Sequence, residues 1–367
     1  MFMIFQPADN EVIGELPATN PFITYQTPTS ELPTPPQEVP APDGSIPFGI
    51  YNGALPQIDY RRFAQKYQWP AWMRFAAEKR WRFSGIFGKE VIIGATVVRA
   101  GIVSNIFGYI FERNTSRLND FAITLPGGLG TSVQLRPERE HVSYRGIRGD
   151  VDILTTADGK IHLNLHIGEI TIEASYAPPA GQLVLVSRVP NARAQGKKEG
   201  VNITRKLAGM EVRGKAQVGN RTYSLDECFS IVDDTHGLLG RETRWRWASA
   251  AGLSAHGTGP VWGINLVAGH NDYEYSENGI WKDGELFYVG HTSFDFDSDN
   301  PLRPWHIHTD DGAVDLTFTP EGMRAGDVGI SALSSCYRAP LGSYSGTLLG
   351  EEVQGIPGMA ENHIAHW

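Results

Sequence analysis

Cysteine is almost missing: Cys228 and Cys336 are the only two in 367 residues. Two isolated thiols make neither a disulfide framework nor a zinc cluster, and they suit a reducing compartment. Positive charge is also scarce, with 32 Lys+Arg against 41 Asp+Glu and a net charge of -9. That balance excludes generic nucleic-acid binding, which needs a basic footprint on the protein. Long hydrophobic runs are absent. The apolar patch at residues 91–98 has the length of a strand, well short of the ~20 apolar residues of a membrane helix. The opening MFMIFQPADNEV has no basic stretch ahead of its apolar residues, so no secretory signal is expected and the location is read as cytoplasmic. Standard cofactor motifs are lacking too. No GxGxxG joins a strand to a helix, and GGLGTS at residues 127–132 lacks the Gly-Lys of a phosphate loop. There is no GxSxG, HExxH or CxxC. No cofactor is expected.

The chain does contain 41 Gly, 23 Pro and 10% aromatic residues, a composition suited to many strands joined by turns. Residues 17–43 hold eight prolines and can form neither a helix nor a central strand, so they are an extended arm over the body or a linker. Residues 58–81 have helical spacing in Phe63, Tyr67, Trp69, Trp72 and Phe75, broken at Pro70. From Trp81 onward the pattern changes to short apolar runs separated by Gly, Asn and Asp. In residues 160–167, Ile161, Leu163, Leu165 and Ile167 point one way, and His162, Asn164 and His166 the other. A polar stretch at residues 191–200 separates two strand-rich series of similar length. The expected organisation is a Pro-rich arm (1–47), a first β-barrel domain (48–205), and a second β-barrel domain with a docked C-terminal segment (206–367). Antiparallel series of this kind close into barrels or sandwiches, and such barrels commonly hold a small ligand.

Chemistry-bearing residues concentrate in the second half. In DDTHGLLGRETRWRWASAAG, residues 233–252, Trp245 and Trp247 project from one face of a strand, either as core filler or as a rigid wall with indole donors. Asn265 and Glu277 sit in otherwise apolar strand sequence, where a buried polar group must find a partner or serve a purpose. In PWHIHTDDGAVDLTF, Trp305 with Ile307 and His306 with His308 take opposite faces. Two His at strand spacing suit a metal, but no Cys or carboxylate signature completes the set, and no metal is expected. The segment MAENHIAHW carries Glu361, His363, His366 and Trp367, and docks either for packing or to close a pocket. Acid–base candidates are Asp233, Asp234, His236, Glu277, His306, Asp315, Glu361 and His363.

These residues resemble the DUF2804 family, a domain of unknown function. The matching segments are DDTHGLLGRETRWRWASAAG, GINLVAG, SENGIWKDGEL, DGAVDLTFTP and ENHIAHW, with LPTPP, FGIYNG and KRWRF in the first half. His236 stands where the family usually has Arg, and Asn362 where it usually has Asp. The family is distantly similar to a two-barrel, lipocalin-like superfamily that includes carotenoid hydratases, tocopherol cyclases and fungal pericyclases. The resemblance implies a mainly β protein of two lipocalin-like, calycin-like antiparallel barrels with few short helices, and an apolar ligand in or between them.

The expected function is cofactor-independent hydration, cyclisation or isomerisation of an apolar terpenoid- or polyketide-like molecule, a lyase or isomerase chemistry. Asp233 or Glu277 would protonate a double bond, and His306 or His363 would take the proton or activate water. Trp245, Trp247, Trp305, Asn265 and Glu361 would bind the substrate. The alternative is a non-catalytic carrier of a lipid or hydrophobic metabolite. The partner is in either case an apolar small molecule, with transient contact to a membrane surface compatible with it.

Overall fold

The structure is a computed structural model and describes residues 32–63, 67–136, 139–189, 199–254, 259–269, 275–330 and 333–366. The first prolines of the arm, most of the polar stretch at 191–200 and Trp367 lie outside the described residues.

Strict two-residue alternation builds most of the chain. Ile161–Ile167 buries its four aliphatic residues and turns His162, Asn164 and His166 outward, as its sequence requires. Strands of this kind form two large antiparallel sheets, each curled into a half-barrel. The first has 14 strands, with Gly200–Val218 as its spine. One half of that strand pairs with Leu183–Val189 and the other half with Ile170–Tyr176. The changeover falls near a bulge between Ala208 and Met210, where Gly209 adopts φ 79°, a conformation costly for any residue with a Cβ. The second sheet has 9 strands and runs from Glu242 to His366. The ladder of the first sheet continues through Phe229–Leu238, so residues 206–238 pair with it.

The described part of the Pro-rich segment lies on the body of the first sheet. Glu38–Val39 pairs with Gln57–Ile58, and Val39 is fully buried. The helix expected over 58–81 is much shorter, consisting of a 3-10 turn at Tyr60–Arg62 and the helix Ala71–Ala77. Strand Glu78–Phe87 begins directly after it, because KRWRF alternates basic and aromatic residues with period two.

Among the described residues three large apolar cores result, with a small fourth cluster of Trp69, Val189, Leu238 and Leu239. One fills the first half-barrel around Ile86, Val151 and Ile203. Another fills the second around Trp262, Trp305 and Phe318. The third is the seam between the sheets, where Phe83, Phe87, Tyr109 and Phe111 meet Trp247, Leu341 and Met359. Arg113 donates to Glu321 across this seam at 2.8 Å, beside Gly322, whose missing Cβ leaves room for the Phe111 ring.

Candidate active site

A cavity of about 270 Å³ opens in the seam. Period two decides what faces it. On strand Phe229–Leu238, Asp233 and Thr235 line the cavity while Val232 and Asp234 turn into the first half-barrel. On Glu242–Leu253, Trp245 and Trp247 line it while Ala248 and Ala250 turn into the second core.

Asp233, Glu277 and Lys206 form its charged end, and all three are buried. Lys206 Nζ donates to Asp233 and lies 3.4 Å from Glu277 Oε2. Thr204 Oγ1 donates to the same Glu277 oxygen at 2.6 Å, and Trp81 Nε1 donates to Asp233 Oδ2 at 3.2 Å. Two carboxylates share one ammonium group here. Burial pushes the Asp233 carboxyl above its usual range and the Glu277 charge adds to the rise, against the opposing pull of Lys206. Burial lowers Lys206, but the two carboxylates outweigh it and hold the ammonium form above its ordinary range. The Lys206 cation also lies 5.9 Å from the Trp247 ring centroid.

Trp247 is held in place from behind. Its Nε1 donates to Asn265 Oδ1 at 2.9 Å, and Asn265 Nδ2 donates to the Glu277 carbonyl at 2.6 Å. Asn265 therefore fixes both an aromatic wall and the loop carrying Glu277, without lining the cavity itself. Phe83 meets Trp247 edge to face at 5.6 Å.

The other end carries a chain of hydrogen bonds. Ser335 Oγ is 2.8 Å from His363 Nε2, His363 Nδ1 is 3.0 Å from Glu361 Oε1, and Trp245 Nε1 donates to that Glu361 oxygen at 2.9 Å. The His363 ring packs on Trp245 with centroids 4.1 Å apart. Between the two ends, buried Arg324 sits over the rings of Phe107 and Tyr337 and donates to Asp120 at 3.2 Å.

The fold thus brings Asp233, Glu277, Trp245, Trp247, Glu361 and His363 to one cavity. It does not bring Trp305 or His306 there. Trp305 is wholly buried in the core of the second sheet, stacked on Phe296 at 3.9 Å, with Nε1 donating to the Pro301 carbonyl. His306 faces outward from the same strand, half exposed, 2.8 Å from Asp315. Asp234 and His236 lie inside the first half-barrel. Asp234 and Glu140 there bind Arg82 and Arg205 in a buried ionic quartet, and His236 Nε2 is 2.9 Å from Glu78. Lys206, Trp81, Arg324 and Ser335 are functional candidates not singled out in the sequence. The one grouping with metal-ligand spacing among the described residues, Asp295 with His306 and His308, is on the outer face of the second sheet, not in the cavity.

The profile of the family described as "Domain of unknown function (DUF2804)" matches residues 30–367, nearly the whole chain. The chain is a member of DUF2804. No curated protein matches this DUF2804 member. Solved structures similar to it include an AttH-like protein from Nitrosomonas europaea, at 11% identity and TM-score 0.47, covering 78% of this chain and 92% of that one. Another is kievitone hydratase from Nectria haematococca, at 12% identity and TM-score 0.47, covering 80% and 89%.

Proposed function

We propose that the seam cavity binds an apolar, terpenoid- or polyketide-like molecule and that Asp233 protonates one of its carbon–carbon double bonds. The placement of Asp233, Glu277 and Lys206, all buried, against an aromatic cavity carries the proposal. Burying two carboxylates and an ammonium group costs on the order of several kcal/mol per ion before pairing offsets it, and a carrier of apolar ligands gains nothing from that outlay. Burial moves the Asp233 carboxyl upward, the direction a general acid requires.

The proton moves from Asp233 to one alkene carbon, leaving a cation on the other. Lys206 and Thr204 stabilise the charge left on the carboxylate pair, and the faces of Trp245 and Trp247 shield the cation. In hydration, water adds to the cation and its proton passes to His363. In cyclisation or isomerisation, His363 takes a proton from the adjacent carbon instead. Glu361 orients the imidazole in both cases. The proton returns to Asp233 through solvent, so the reaction needs no redox partner.

Native mass spectrometry of the purified protein, with organic extraction, identifies the apolar ligand to assay. D233N and E277Q are expected to bind that ligand like the wild type and to lose at least ~100-fold in turnover, the usual worth of a general acid. Full turnover in both variants overturns the acid role. Equal binding with no turnover in the wild type indicates a carrier.

The chain Ser335–His363–Glu361 supports a second reading, because nucleophile, base and orienting carboxylate stand in that order in acyl-transfer enzymes. A fluorophosphonate that adds one equivalent to Ser335, and none to S335A, supports ester hydrolysis. An unlabelled protein removes this reading and leaves His363 to the proton transfer above.

The end of the molecule next to the cavity also suits delivery of an apolar substrate from a lipid surface. Trp72, Phe75, Ile102, Leu129 and Ile147 are five of the seven large apolar side chains exposed among the described residues. They sit on the helix Ala71–Ala77 and three neighbouring turns linked by backbone hydrogen bonds, such as Gly127 N to Ile102 O and Arg145 N to Gly130 O. The segments AWMRFAA, AGI, PGGLG and GIRG contain two arginines and no acid, against a chain charge of -9.

A further inference from the structure

The strand Trp305–Thr309 carries His306 and His308 two residues apart, so both rings stand on its outer face, stacked with centroids 4.9 Å apart. The carboxylates nearest in the chain, Asp310 and Asp311, are turned away to accept from the backbone N–H groups of His291 and Gly290. The sheet supplies two. Asp295, on the neighbouring edge strand Thr292–Asp295, is the cross-strand partner of His306, and Asp315, on the opposite neighbour, is the partner of His308.

We propose that Asp295, His306 and His308 form a binding site for a late divalent transition metal, of the zinc class, on the outer face of the second sheet. The geometry carries it in three ways. First, His306 Nδ1 and His308 Nδ1 lie 3.6 and 3.8 Å from the same Asp295 oxygen. Ligand atoms bonded tetrahedrally at about 2.0–2.1 Å are about 3.3–3.4 Å apart, so each ring need close on Asp295 by only a few tenths of an ångström, and all three ligand atoms lie within 4.8 Å of one another. Second, the other nitrogen of His306, Nε2, is 2.8 Å from Asp315 Oδ1. A carboxylate holding the far ring nitrogen is how metal-bound imidazoles are oriented, and it leaves Nδ1 facing the metal position. Third, His308 Nδ1 is a buried nitrogen with no hydrogen-bond partner, on the same side as the Asp295 oxygen 3.8 Å away. Two imidazoles and one carboxylate suit zinc, copper, nickel or cobalt rather than calcium or magnesium, which prefer oxygen ligands alone. The site is exposed on its outer side, so water or a further ligand completes the coordination.

The site joins the edge strand Thr292–Asp295 to its neighbour, and its consequence is stability of the sheet edge rather than chemistry in the cavity, which it does not line. The test uses the full chain without a histidine tag, stripped with chelator and titrated with Zn²⁺ by calorimetry and with Co²⁺ by visible absorption. The expected result is one equivalent bound with micromolar affinity, a tetrahedral Co²⁺ spectrum, and a melting temperature raised by about 3 °C at hundred-fold excess over Kd. H306A and H308A abolish binding, and D315N weakens it by about ten-fold through the orienting contact. All three side chains face solvent, so circular dichroism should report an unchanged fold. Binding no tighter than millimolar overturns the proposal, as does a titration unchanged in the H306A/H308A double variant.

Discussion

Asp233 and Asp234 are adjacent in the chain but serve opposite faces of one strand. Asp233 shares Lys206 with Glu277 at the cavity, while Asp234 closes the buried quartet with Arg82, Arg205 and Glu140. Both pairings are set by strand register, which places Lys206 opposite Asp233 and Arg205 opposite Asp234.

The two asparagine variants should therefore separate. D234N leaves two buried guanidinium groups facing one carboxylate and should destabilise the fold by about 3–5 kcal/mol. D233N leaves the Lys206 ammonium its second carboxylate, Glu277, at 3.4 Å, and should cost less, about 1–3 kcal/mol. Urea denaturation of both at pH 7 decides this, and equal losses in the two would refute the assignment of roles.

Acid should weaken the fold through His236 and Glu78. Burial holds His236 below its ordinary value, so its contribution is present above pH 6.5 and lost as pH falls below it. Burial works against the Glu78 carboxylate, but His236 and Arg80 outweigh it and bring Glu78 from 4.5 down to about 2. Its contribution is full above pH 4.5 and disappears toward pH 2. The slope should reach about 1.4 kcal/mol per pH unit for each proton taken up on unfolding. Urea midpoints at pH 7.5, 5.5 and 4 should fall steadily in the wild type and more gently in E78Q/H236Q.

Trp247 should behave as a held wall. W247F keeps most of the packing but leaves Asn265 Oδ1 without its indole donor, a loss of about 1–3 kcal/mol. W247A also opens a void beside Phe83 and should cost about 3–5 kcal/mol. Thermal unfolding of the pair shows whether the hydrogen bond or the ring volume dominates.

Gly322 tests the seam itself. A Cβ there would lie 2.4 Å from Phe111 Cε2, on the facing sheet. G322A should force the sheets apart locally, cost about 1–3 kcal/mol, and raise the off-rate of any apolar dye held in the cavity. Fluorescence displacement checks the second effect independently of stability.

For the lipid-facing end, L129D/I147D should abolish co-sedimentation with vesicles containing anionic phosphatidylglycerol while leaving circular dichroism unchanged. A wild-type protein that stays in the supernatant removes the membrane contact.

The class of fold was legible because alternation is written into single strands: Ile161–Ile167 and the tryptophans at 245 and 247 read correctly without any partner strand. The cavity was legible only in part. Parity divides His306 from Trp305, but which of the two faces meets the other sheet depends on long-range pairing, and both residues of this strand lie away from the seam. Lys206 had a local sign that could have been used. Arg205-Lys206 and Asp233-Asp234 are matching doublets of opposite charge in otherwise apolar strands, and such doublets point to antiparallel neighbours. Arg324 and Ser335 had none, since each acquires its role from side chains on the opposite sheet or on an adjacent strand.

Because the cavity walls come from two sheets, its occupant is a joint between them. A guest touching Phe83 on one side and Trp247 on the other cannot remain bound if either sheet peels away. Loading the protein at a hundred times its Kd adds about 2.7 kcal/mol to the folded state, and that increment is shared by both half-barrels. An empty chain can therefore open along the seam in two steps under heat or denaturant, whereas a filled one is expected to melt in a single transition.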